Sequence, residues 1–110
     1  MMQTGYSIER WKEMYAPNAA MLRHILVAEG YSVLQWCDGP GTEYGSHHHN
    51  DDQSHWVISG SIEFTIENDR TYVLEAGDRD IMPAFTIHKA CVVSEGPVVY
   101  LIGSRARQAA

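Results

Sequence analysis

A chain of 110 residues is long enough to bury one continuous core, and its 45% apolar and 20% charged content is that of a globular domain, which excludes an intrinsically disordered chain. The formal net charge of −6, with only eight Lys and Arg, excludes an extended phosphate-binding surface, so nucleic acid is not an expected partner. No apolar run approaches bilayer length and Met1 to Gly5 lack the basic start of an export signal, so a cytoplasmic chain without membrane contact is expected, with Cys37 and Cys91 reduced.

Near the start, Ser7 precedes Ile8, Trp11, Met14 and Tyr15 at helical spacing, and Pro17 closes the pattern; a short N-terminal helix is predicted there. From Ala20 onward the chain reads as short strands. Met21 to Val27, Tyr31 to Cys37 and Thr42 to His49 are separated by Glu29-Gly30 and by Asp38-Gly39-Pro40-Gly41. The clearest strand is Ser61 to Glu67, where Ile62, Phe64 and Ile66 alternate with polar residues. Thr71 to Leu74, Arg79 to Met82, Ile87 to Val93 and Val98 to Ile102 continue the series. The predicted organisation is one domain over 1–110: a helical segment at 1–19, an all-β sandwich or barrel at 20–103, and a loose tail at 104–110.

Four of the six histidines fall between His47 and His55. In a strand, His47 and His49 share one face while His48 takes the other, so two imidazoles can converge inside a barrel. After the turn Asn50 to Asp52, the same alternation puts Gln53, His55 and Val57 on the inner face, leaving Gln53 or His55 as the next donor. The run is internal and flanked by strand sequence, unlike an expression tag. A second segment, Gly77 to His88, carries a turn, a short strand, Pro83 and a lone histidine.

Together the two segments resemble the paired motifs of the cupin superfamily: glycine, His-x-His, a Glu or Gln, glycine, and later glycine, proline and His. The resemblance covers Gly41 to Val93 and implies a double-stranded β-helix, the cupin jelly-roll barrel. It also implies a divalent metal held by His47, His49, Gln53 and His88, with Gln53 in the usual Glu position seven before Gly60. Phe85 and Val92 stand where the family often has glycine and asparagine. Some cupins that act on sugar acids or on small sulfur-containing acids look similar in using Gln, including those that open unsaturated uronates. Those relatives carry an acid on the final strand where this chain has Tyr100.

Three imidazoles and an amide oxygen form a neutral donor set that leaves a bound ion its full charge and suits Fe, Mn, Ni or Zn above calcium or magnesium. The expected function is an isomerase, lyase or oxygenase acting on a small carboxylate-bearing or sugar-acid-like molecule, with a non-catalytic binding or sensing module and a metal-stabilised structural barrel as alternatives. His55 is the candidate catalytic residue, as general base, substrate contact or replacement ligand. Trp36, Tyr44, Met82, Phe85 and Tyr100 are the candidate pocket walls. Trp56, Ile58, Ile62, Phe64 and Ile66 read as core, and Arg105 and Arg107 as solvated tail residues, with a carboxylate contact by one of them as the lesser alternative. A homodimer using edge strands and the apolar Trp11, Met14 and Tyr15 is expected; the alternative is a monomer that caps its own barrel with them.

Overall fold

A computed structural model describes residues 5–107. Nine strands and one helix follow in the order β1 (Ser7–Glu9), α1 (Ala19–Ala28), β2 (Ser32–Asp38), β3 (Glu43–His47), β4 (Asp52–Ser59), β5 (Ile62–Ile66), β6 (Arg70–Leu74), β7 (Arg79–Ile81), β8 (His88–Val92) and β9 (Val98–Arg105). The strands form two antiparallel sheets, β1-β7-β4-β9-β2 and β3-β8-β5-β6, stacked as a jelly-roll sandwich. The interior is filled by the inner faces of both, with Val57, Ile62, Phe64, Leu74, Val92 and Val98 at its centre. The core assignment for Ile62, Phe64 and Ile66 holds here, whereas Trp56 and Ile58 belong to a second cluster outside the larger sheet.

The helix is present but lies later than the spacing predicts. Ser7–Glu9 pairs instead with β7, Ile8 opposite Asp80, and Trp11 N–H donates to Asp78 Oδ1 at 2.9 Å. This tertiary pairing overrides the local helical spacing. The segment read as a strand at Met21 to Val27 is helical because Leu22 and Leu26, one turn apart, bury completely against Trp56, Tyr31 and Leu101. Asn18 caps it, its side chain accepting from Met21 N–H at 3.0 Å. Arg79, 3% exposed, ties the helix end to the sheet with a two-pronged contact to Glu29 and lies 4.5 Å over the Trp56 ring.

The segment expected as a loose tail, 104–110, begins as strand. β9 runs through Arg105, whose guanidinium sits 4.3 Å over Tyr31, and Arg107 lies over Phe85; residues 108–110 fall outside those described. Neither arginine lines the central cavity described below. Cys37 and Cys91 are free thiols, as expected. Among the described residues no helix is long and apolar enough to cross a membrane.

The two sheets join differently at their two sides. On one, Tyr6 packs on Tyr72 with ring centroids 5.3 Å apart and Arg10 donates to the Val73 carbonyl, so the β1 and β6 edges are stapled together. On the other, edges β2 and β3 stand apart and the interior opens. The N-terminal strap is held by Trp11 lying directly on Gly77, where a Cβ would come within 2.2 Å of the indole at a φ of +92°. Gly77→Ala should therefore destabilise the protein by about 2–4 kcal/mol in urea unfolding. A loss below the error of that measurement would show that Trp11 does not pack there.

Candidate metal centre and cavity

His47, on β3, is the direct cross-strand partner of His88 on β8, and His49 follows just beyond the end of β3. Ring centroids are 4.3 Å apart for His47 and His88, 4.9 Å for His47 and His49, and 5.1 Å for His49 and His88. One ring nitrogen from each lies within 4.8 Å of the others, close enough to share one ion. His47 Nδ1–H donates to the Gly45 carbonyl at 2.6 Å and His88 Nδ1–H to the Thr86 carbonyl at 2.9 Å. Both Nε2 lone pairs are thereby left free for a ligand.

A bulge makes this arrangement. Between the pairs Tyr44–Ala90 and His47–His88, β3 carries one residue more than β8, which resets its alternation. Tyr44 and His47, three apart, consequently face the same cavity.

Gln53, at the start of β4, donates its amide N–H to Ser104 Oγ at 3.3 Å. Its Oε1 is buried and has no protein partner, an expensive condition that a bound cation relieves. The donor chemistry and this orphan oxygen both fit a divalent transition ion. Two residues on, His55 is buried with Nδ1 at 3.0 and 3.1 Å from the carboxylate oxygens of Asp80, which also accepts the His55 backbone N–H at 2.7 Å. An ionised carboxylate only accepts, so Nδ1 carries the proton and Nε2 the lone pair. Asp80 is wholly buried and receives a third bond from Tyr6 O–H.

His47, His49, Gln53, His55 and His88 line an open cavity of about 270 Å³. Of the expected walls, Trp36, Tyr44 and Tyr100 line it. Met82 and Phe85 do not, which corrects the sequence expectation. Met82 is 2% exposed within the core, its backbone paired to Gln53, and Phe85 points outward at a φ of +68°, 46% exposed beside His48. Leu34, Ile62, Phe64 and Ile102 complete the apolar side. Sequence reasoning missed Asp80 and Asp38. Asp80 carried one available signal, a carboxylate inside a short strand leading to Pro83; Asp38 carried another, standing two residues after Trp36 on the same strand face. Asp38 accepts from Trp36 Nε1–H at 3.0 Å, Tyr44 O–H at 2.7 Å and Tyr100 O–H at 2.9 Å.

Desolvation holds His88 down at about 4, and His49 is lowered by burial and by the neighbouring histidines. Tyr100 is raised by burial and then by Asp38, while Tyr44 is raised first by its bond to Asp38, so both phenols stay protonated.

Residues 34–103 match the family model described as Cupin domain. Solved structures similar to the chain include one from the crystal structures of the DMSP lyases RdDddP and RnDddQII, 29% identical with a TM-score of 0.60 over 69% of this chain and 38% of that one. An uncharacterized conserved protein with a double-stranded beta-helix domain from Klebsiella pneumoniae is 28% identical, TM-score 0.62, over 73% and 70%. KdgF from Halomonas sp. is 26% identical, TM-score 0.52, over 66% and 70%. The chain thus spans well under half the length of the lyase chain it matches. No curated protein matches it significantly.

A histidine whose folded value lies below its unfolded one binds fewer protons when folded, so its contribution to stability is complete above 6.5 and is lost as pH falls toward about 4. The metal-stripped protein should lose melting temperature across that window, and His88→Gln should flatten the loss. Parallel pH-melting curves for the two proteins check this; identical slopes would contradict it.

Proposed function

The chain belongs to the cupin family, and from that premise we propose that it is a metal-dependent enzyme, an isomerase, lyase or oxygenase acting on a small carboxylate-bearing or sugar-acid-like substrate. The observation that carries the reading is the convergence of His47, His49 and His88 beside the unpartnered Oε1 of Gln53, in a cavity open to ligands. These four would hold one divalent ion, Fe, Mn, Ni or Zn. When bound, the ion supplies a Lewis acid that attracts a carboxylate and acidifies coordinated water.

The chain's own residues then orient and move protons. His55, with its Nδ1 proton fixed by Asp80, presents a basic Nε2 beside the ligand set and serves as general base. Asp80 acts through His55 as a positioning residue, fixing the tautomer and ring plane. The apolar side formed by Leu34, Ile62 and Phe64 excludes water from the reacting end. Similarity to the DMSP lyase structures supports an enzyme over a purely structural barrel. A homodimer is the expected assembly, with Met14 and Tyr15 exposed to supply apolar area.

Metal analysis of protein purified without chelators should find near-stoichiometric transition metal, lost in His88→Ala. His55→Ala should keep the metal while turnover of a panel of keto and uronic acids falls at least about a hundredfold. Metal-dependent ligand binding without turnover would replace the enzyme with a binding module. Chelation that lowers only the melting temperature, with no ligand bound, would favour the structural barrel.

A further inference from the structure

The polar groups of the cavity are unevenly distributed. The four expected ligands and His55 share the cavity with Trp36, Tyr44 and Tyr100, the Tyr100 ring lying 6.4 Å from that of His55, and these three aromatic side chains have their polar handles already committed. The indole N–H and both phenol O–H groups donate to one carboxylate, Asp38, which is 8% exposed behind the rings. Trp36 and Tyr100 are direct cross-strand partners on β2 and β9, and Tyr44 reaches Asp38 from β3 across the open seam. What remains toward the cavity is aromatic surface backed by a negative charge. Trp36 and Tyr44 keep 45% and 37% of their surface open.

We propose that Trp36, Tyr44 and Tyr100, gathered by Asp38, form a receptor wall for an alkylated cation, and that the natural ligand is a short zwitterion whose carboxylate goes to the histidine end. The second half of this proposal rests on the metal-centre reading above. Aromatic faces attract alkylated cations through the ring quadrupole, and a carboxylate bonded to the ring edges strengthens that attraction. Among the described residues no Lys or Arg lines the cavity, Arg105 and Arg107 being engaged over Tyr31 and Phe85, so the positive charge a cation would meet there is the bound metal's own, which the zwitterion's carboxylate offsets.

A polyhydroxylated acid fits less well. Each of its hydroxyls needs a partner once dehydrated, yet apart from the histidines, Gln53 and the two committed phenols the lining is apolar. At about 270 Å³ the cavity also lies just below the usual span of ligand sites, roughly 300 to 1,000 Å³.

Four probes separate the possibilities by calorimetry and saturation-transfer NMR on zinc-loaded protein. Trimethylglycine and 3,3-dimethylbutanoate have the same shape and carboxylate but differ in the cation; galacturonate is the hydroxylated acid and tetramethylammonium the cation alone. Trimethylglycine should bind about five- to tenfold tighter than 3,3-dimethylbutanoate. Asp38→Asn and Trp36→Leu should each erase that ratio while zinc content is retained, and Trp36→Leu should also keep the melting temperature. Equal or reversed affinity of the isosteric pair, or tightest binding of galacturonate, overturns the cation wall and leaves the metal centre standing. Saturation transfer to tetramethylammonium that Trp36→Leu abolishes, without binding of any carboxylate, keeps the wall and overturns the metal-carboxylate reading. No binding of any probe overturns both.

Discussion

The wholly buried carboxylate of Asp80 is the contact on which the rest of the molecule depends. A charge removed from water must be met by donors, and Asp80 is met by three: the Tyr6 hydroxyl, the His55 amide and the His55 ring. Those donors come from the N-terminal segment and the central strand β4, while Asp80 itself lies on β7. One side chain therefore fixes the strap that closes one side of the sandwich and the orientation of the imidazole beside the histidine cluster. Structure and site share the same hydrogen bonds, so the strap is part of the site's support although it lies outside the cavity.

The asymmetry of the two seams extends this logic. Where β1 meets β6 the closure is aromatic and tight, and the chain spends its N-terminal residues on it. Where β2 and β3 part, Asp38 at the end of β2 accepts from Trp36 and Tyr100 of its own sheet and, across the gap, from Tyr44 of β3. An opening held by directional bonds keeps its shape without filling, which is what an entrance requires.

Much of this was legible in the sequence because period-two alternation is local. Ile62, Phe64 and Ile66 announce a one-faced strand, and the paired motifs around His47 to Gln53 and Gly77 to His88 specify the barrel. What was illegible depended on partners distant in the chain. Ser7–Glu9 is a strand because β7 offers it an edge, and Leu22 and Leu26 are helical because Trp56 and Leu101 offer them a surface. Tyr44 shares a face with His47 through a bulge that simple alternation cannot foresee, and Met82 and Phe85 lie near His88 in sequence while facing elsewhere. Asp38 and Asp80 gain significance only from the donors folding brings to them.

The histidine rings at 47 and 88 are aimed by main-chain carbonyls, those of Gly45 and Thr86, and not by replaceable side chains. Their aim is thus inherited with the path of the backbone and survives substitution elsewhere. Other alignments in the cavity do rest on exchangeable groups: Gln53 leaning on Ser104, His55 on Asp80, and the aromatic trio on Asp38. A substitution at Ser104, Asp80 or Asp38 would thus reorient one wall of the cavity while the imidazoles at 47 and 88 stay put.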